Sequence, residues 1–322
     1  MPMLRFLIAV LASALCGTSL AQSWPTKPVR IVVAYPPGGG IDVMARQIAE
    51  RLTGAWGQPV VVENKPGANT ILATDSVSKS APDGYTVLMT TDATFSINPH
   101  LYAKLPFDPQ RDFIPVTMLV LLQQLLVAHP SLPANTLDEL IKLAKAKPGS
   151  INYASYGSGS QPHLSGEMLK NKAGIDLVHI PYKGISLAVP AVIAGEVELT
   201  FAGIATSMAP LKSGRIKAIA IGGTQRSPLL PQVPTFAELG YPEVETHAWF
   251  GLFLPAGSPR EAVSRIYQDT KKVLDDPEFR QKQLIDRGYE VVGSGPEEFA
   301  AYIRKDSESR ARAVKISGAK AE

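Results

Sequence analysis

The sequence predicts an α/β protein with two lobes, each built on a mixed, mostly parallel sheet. Three observations predict it. Short runs of β-branched residues alternate with amphipathic helical stretches from end to end, the pattern of parallel strands covered by helices. The 322 residues exceed the roughly 250–300 at which a single core stops growing. The 26 Gly and 27 Pro fall between the periodic segments without a repeat, which excludes collagen, coiled-coil and low-complexity chains.

Val29–Tyr35 is the first strand, ending at Pro36-Pro-Gly-Gly-Gly40. Ile41, Met44, Ala45, Ile48, Ala49 and Leu52 then recur at helical spacing and form one apolar stripe. Val60–Glu63 reads as a strand, Leu72–Lys79 as helical and Thr86–Thr90 as a strand, completing βαβαβ. Val116–Ala128 is interrupted by Gln123 and Gln124 and reads as two strands. Thr136 and Glu139 form a capping box before Leu137, Leu140, Ile141 and Ala144.

Strands follow at Asn152–Ser155, Leu177–Ile180, Leu199–Ala202 and Ala218–Gly222. Between them lie helices at Pro162–Ala173, stopped by Gly174, and at Ser186–Ala194. Ala248–Leu254 is a late strand, after which Ser258 caps a helix with Pro259 at its first position and Glu261 completing the box. Two further helices start at Pro277 and Pro296.

The N-terminus belongs to export rather than to the fold. Arg5, the apolar run Phe6–Leu15 and small residues at Ser19 and Ala21 have the layout of a signal peptide cut before Gln22. A membrane anchor needs about 20 apolar residues, and a lipoprotein cut before Cys16 is disfavoured by bulky Leu15. Cleavage removes Cys16, the one cysteine, so the mature chain is expected to carry no disulfide, thiolate or Cys metal site. The net charge of +3, without a basic cluster, gives no electrostatic case for nucleic acid.

Two turns carry the candidate chemistry. Tyr35-Pro-Pro-Gly-Gly-Gly-Ile-Asp42 joins a strand to an amphipathic helix, where free N–H groups favour an anion and glycines admit it to the backbone. It lacks the spacing of a dinucleotide turn and the Gly-Lys-Ser/Thr of a P-loop. With no lysine or arginine after the glycines, it suits reversible capture of a carboxylate. The competing reading is a plain tight turn with Asp42 as helix cap. Ser155-Tyr-Gly-Ser-Gly-Ser160-Gln-Pro-His163 repeats the arrangement with small polar residues. Ser158 or Ser160 beside His163 brings a hydrolase to mind, but no nucleophile elbow or spaced carboxylate accompanies them. His100, His129, His179 and His247 form no metal-binding spacing.

The chain resembles the Bug receptors, periplasmic solute-binding proteins of tripartite tricarboxylate transporters. The likeness runs through Trp24-Pro-x-Lys-Pro, Pro36-Pro-Gly-Gly-Gly-x-Asp42, Val61-Val-Glu-Asn-Lys-Pro-Gly-Ala68 and Ala81-Pro-Asp-Gly-Tyr85. It continues in Asn98-Pro-x-Leu-Tyr102, Phe113-x-Pro-Val116, Lys145-Ala-Lys-Pro-Gly149, His179-Ile-Pro-Tyr-Lys-Gly184 and Trp249-Phe-Gly-Leu-Phe-x-Pro-Ala-Gly257.

The resemblance implies a type II-like Venus flytrap with a cleft between its lobes. Residues 22–121 with 244–322 would form lobe 1 and 122–243 lobe 2, after a signal peptide at 1–21. It implies that a small carboxylate, di- or tricarboxylic or aromatic, is captured and passed to integral membrane permease subunits. No cofactor, metal or catalytic residue is expected, and the protein is expected to be a monomer in the periplasm. Carried over, one wall of the site is Tyr35, Pro37, Gly38, Gly39, Gly40 and Asp42, with Thr91 and Asp92. The other is Ser155, Gly157, Ser158, Gly159, Ser160 and His163, with Ala202 and Gly203. Departures at Asn69-Thr70 and at Ala202-Gly203, where many members have Gly-Gly and an Asp or Asn, hint at a less polar distal pocket. A sensor subunit with the same capture, or an exported hydrolase, are the alternatives.

Overall fold

The computed structural model describes residues 24–319 apart from 245; the signal-peptide assignment lies outside the described residues. Among the described residues ten strands are joined: eight lie on the path β2-β1-β3-β9-β4-β7-β5-β6, and β8 and β10 pair with β4 off it. They are β1 Val29–Val33, β2 Val60–Asn64, β3 Thr86–Thr91, β4 Phe113–Ala128, β5 Asn152–Ser155, β6 Val178–Pro181, β7 Leu199–Gly203, β8 Lys217–Ile221, β9 His247–Pro255 and β10 Tyr289–Val291. The flanks are parallel, β1 with β2 and β3, and β5 with β6 and β7. The centre, around β4 and β9, is antiparallel.

β4 is where the chain passes from one sheet to the other. Up to Gln123, paired with His247, it lies against β9; from Gln124, paired with Gly203, it lies against β7. The two glutamines therefore do not divide the segment into two strands, as their polarity predicts. Each finds an amide partner instead: Gln123 donates to the Gln225 carbonyl at 3.2 Å and Gln124 to Tyr156 Oη at 3.1 Å. The ladder runs on through them, and only the partner strand changes.

The helices are α1 Gly40–Trp56, α2 Ile71–Ser78, α3 Asn98–Leu101, α4 Leu137–Ala146, α5 Gln161–Ala173, α6 Ile185–Ala194, α7 Ile204–Lys212, α8 Arg260–Asp275, α9 Pro277–Phe279 and α10 Pro296–Ser317. The apolar stripe of α1 is buried as its spacing predicts and packs on Ile31 and Val33 of β1. Val32 and Ala34 face the opposite layer with Phe95, Trp249, Phe253 and Phe299. Both faces of this strand are thus covered, each large side chain contributing about 1.5–3 kcal/mol by leaving water. Tyr153 and Phe201 anchor one face of the second sheet, and Ala154 and Ala202 the other.

Thr136 caps α4 by accepting the Glu139 N–H at 3.2 Å. Ser258 does not cap α8. The chain turns at Gly257 (φ +85) and Ser258 Oγ donates to the Pro255 carbonyl at 2.8 Å, leaving Pro259 at the N-cap. The helix at Pro277 lasts one turn before a π-helical turn, Arg280–Leu284. Helix α7, the π-helical turn Ala93–Ile97 and β10 are additions to the sequence reading. Among the described residues no helix is long and apolar enough to cross a membrane.

Candidate functional site

Three strand-to-helix junctions converge on one cavity between the sheets. Its lining includes Gly39, Gly40 and Ile41 at the start of α1, Ile185 and Ser186 at the start of α6, and Gly203, Ala205 and Thr206 at the start of α7. The three N-cap residues, Gly39, Gly184 and Gly203, are all glycines, and none of the helices receives a side-chain cap. Leu187 N–H turns back to the Gly184 carbonyl at 3.1 Å; the other N–H groups at these helix starts are placed to meet a ligand or water. The cavity is completed by Tyr35, Pro36, Thr91, Leu122, Gln124, Tyr156, Ala248, Phe250 and Tyr289. Among the described residues no charged side chain lines it.

Close approach favours glycine at Gly40 and Gly184 and leaves little room at Gly39. A Cβ on Gly39 would lie 3.3 Å from Ile185 Cγ2, one on Gly40 2.5 Å from Tyr289 Oη, and one on Gly184 2.9 Å from Pro36 Cδ. The glycine turn therefore meets the start of α6 across the cleft. Tyr35 Oη and Thr91 Oγ1 are 3.0 Å apart, and the Tyr35 and Tyr156 rings meet edge to face at 5.9 Å. Burial, followed by the nearby Tyr35 and Asp92, pushes the Tyr156 hydroxyl far above its usual range. Burial likewise raises Tyr289 to about 12. These phenols are neutral hydrogen-bonding groups at physiological pH.

The Tyr35–Tyr156 pair also borders a second cavity. It is lined by Gly157, Ser158, Tyr182, Lys183 and the stretch Pro66–Thr70. Ala68, Asn69 and Thr70 all have positive φ, an arrangement that costs L-residues energy unless their surroundings hold it. Here Asn98 Nδ2 donates to the Asn69 carbonyl at 2.7 Å, Asn69 Nδ2 donates to Asn98 Oδ1 at 2.8 Å, and Thr70 Oγ1 lies 2.7 Å from Thr94 Oγ1.

Of the residues singled out in the sequence, Tyr35, Gly39, Gly40, Thr91 and Gly203 line the first cavity, and Tyr35, Gly157 and Ser158 the second. Gly38 borders a neighbouring surface pocket. Of the others, Pro37 is exposed and the rest stand behind the walls. Asp42 is buried, and its carboxylate accepts from Gly38 N–H at 2.9 Å, Asn64 Nδ2 at 2.8 Å and Arg46. Burial alone would raise its pKa; those donors hold it below the usual value. Asp42 thus ties the glycine turn to α1 and β2, while Pro37 lines none of these cavities.

His163 Nδ1 accepts from Gly159 N–H at 2.9 Å and its ring stacks on His179 at 4.0 Å. Ser155 Oγ lies 2.7 Å from His179 Nε2, and burial, then His163, depress His179 to about 3. These groups brace the second turn rather than form a nucleophile and base. Ser160 is the N-cap of α5, with its Oγ buried and unpartnered. Gly159 abuts Leu101 and Asn69, and Ala202 is buried in β7.

Asp92 is fully buried beside Arg310, at 3.5 Å, with Asp306 and His247 nearby. Burial raises it to about 7 despite the guanidinium. Arg310 also donates to the His247 carbonyl at 2.7 Å, and Asp306 accepts from Trp249 Nε1 at 2.8 Å. This cluster fastens α10 to β9.

Gln124, Tyr156, the starts of α6 and α7, Phe250 and Tyr289 are lining residues that the sequence reading does not single out. Gly184 is the available clue, since it stands between a strand and a helix as Gly39 does.

Two linked α/β sheets with helix N-termini turned into the intervening cleft define a solute-binding protein of the periplasmic Venus-flytrap class. More particularly, the chain belongs to the tripartite tricarboxylate transporter family receptors (TctC), whose family model matches residues 44–318. It is 33% identical to Protein BugT of Bordetella pertussis over 314 residues, covering 97% of this chain and 96% of that one. The structure of R. palustris Rpa4515 with adipate superposes with TM-score 0.89 at 32% identity, covering 92% of this chain and 99% of the other. MatC from Rhodopseudomonas palustris with bound malate gives TM-score 0.84 at 30% identity, covering 91% and 100%.

Proposed function

We propose that this protein captures a small carboxylate in the periplasm and delivers it to the membrane permease of a tripartite tricarboxylate transporter. Residues 22–121 with 244–322 act as one lobe and 122–243 as the other, closing on the ligand by hinge motion about β4 and β9. The observation that carries this reading is the convergence of three helix starts, each with a glycine at the N-cap and no side-chain cap, on a cavity that no charged side chain lines among the described residues. Backbone dipoles of this kind hold an anion and still release it, because no fixed cation must be desolvated and repaired. Relatives solved with adipate and malate support the ligand class. The role is binding rather than catalysis: the Ser155–His179 pair has a histidine depressed by burial and turns inward to the loop.

The test is a melting-shift screen of ligand-stripped protein against mono-, di- and tricarboxylates. A ligand at 100 times its Kd stabilises the folded state by about 2.7 kcal/mol, a rise of several degrees. A flat response across the whole panel contradicts the reading. Capture of permease subunits by the loaded protein separates delivery from sensing.

A further inference from the structure

Gln124 sits where β4 changes sheets, and it lines the first cavity while being only 1% exposed. Its backbone is fully engaged: the N–H donates to the Thr246 carbonyl, and its own carbonyl accepts from Gly222 N–H and Thr246 Oγ1. In the side chain, Nε2 donates to Tyr156 Oη, but Oε1 is buried with no partner among the described residues. Buried acceptors are almost always paired, and an unpaired one is destabilising. An orphan acceptor on a ligand cavity implies a ligand donor.

The surroundings restrict what carries that donor. Leu122, Ala248, Phe250, Ile185 and Ala205 make the nearby walls apolar. A second carboxylate placed here would set acceptor oxygens against an acceptor oxygen and leave Oε1 unpaired. A neutral hydroxyl on an apolar body meets both conditions, its O–H going to Oε1 and its carbon frame to the walls.

We propose that the ligand is an apolar-bodied monocarboxylate bearing a hydroxyl group, and that Gln124 Oε1 is the specificity-determining acceptor for that hydroxyl. The proposal rests on the carboxylate reading above and narrows it. Calorimetry with two matched pairs tests it: benzoate against 4-hydroxybenzoate, and hexanoate against 6-hydroxyhexanoate, with adipate as the dicarboxylate control.

In at least one pair the hydroxy acid should bind about tenfold tighter or more, since its absence leaves a buried acceptor unpaired. Gln124→Leu should bring that ratio to within about twofold of one. Equal affinity within both pairs overturns the proposal, as does adipate binding tighter than either hydroxy acid, or a preference that survives in Gln124→Leu. The wild-type ratio stands as a test by itself if that variant fails to fold. These outcomes leave carboxylate capture intact; only a panel in which no carboxylate binds removes both.

Discussion

Gly159→Ala separates the cost of backbone conformation from the cost of closing the cleft. Gly159 has φ +78, and a Cβ there would fall 2.0 Å from Leu101 Cδ2. The left-handed conformation costs an L-residue about 1–2 kcal/mol whether the cleft is open or closed. The overlap costs a further amount, about 1–3 kcal/mol for an overpacked contact, and only when the second turn rests against α3. The first cost should appear as a lower melting temperature of the unliganded protein. The second should appear as affinity, weakening Kd by roughly fivefold to 150-fold at 1.4 kcal/mol per decade. Leu101→Ala removes the overlapping methyl, so the double variant should regain affinity while keeping the backbone penalty. Calorimetry on the four proteins of this cycle decides it. Wild-type affinity in Gly159→Ala, or a double variant as weak as the single, would refute cleft closure at this contact.

Two further outcomes follow from the buried carboxylates. Asp42→Ala should destabilise by about 1–3 kcal/mol at pH 7, because Gly38 N–H and Asn64 lose their acceptor. Asp42 has a depressed folded pKa, so its contribution is present above the unfolded value of about 4 and fades as pH falls through the folded one. Denaturant unfolding at pH 7 and pH 3 should show the difference shrinking. Asp92 behaves with the opposite sign: its folded value of about 7 means stability is lost as pH rises from about 4 to 7. Asp92→Asn should flatten that slope and be stabilising at pH 8, read from melting curves across the window; an unchanged slope would remove Asp92 as its source.

The local parts of this molecule were legible because they are local. The α1 stripe follows from a 3.6-residue period, and the glycine turn follows from Pro36-Pro-Gly-Gly-Gly40 standing between strand and helix. Non-local parts were not. A polar pair inside an apolar run reads as a break until Gln225 and Tyr156 are known to stand beside Gln123 and Gln124. Ser258 carries a capping signature, yet the turn at Gly257 diverts its hydroxyl to Pro255. The second turn reads as the partner of the first, but the closest contact across the cleft from Gly39 is Ile185. Nothing in the one-dimensional pattern ranks three glycine-capped helix starts by which will converge. Asp92 and Arg310, more than two hundred positions apart, share a buried site only because α10 returns to β9.

If backbone dipoles at the helix starts of both sheets hold a carboxylate anion, the ligand's charge rather than its shape sets the affinity. Calorimetric titration of the tightest-binding acid against its primary amide tests this most directly, since the two differ little in shape. One site per chain is expected, with a loss of about a hundredfold or more for the amide, which carries no charge and turns N–H groups toward N–H groups. Equal affinity for acid and amide would contradict it.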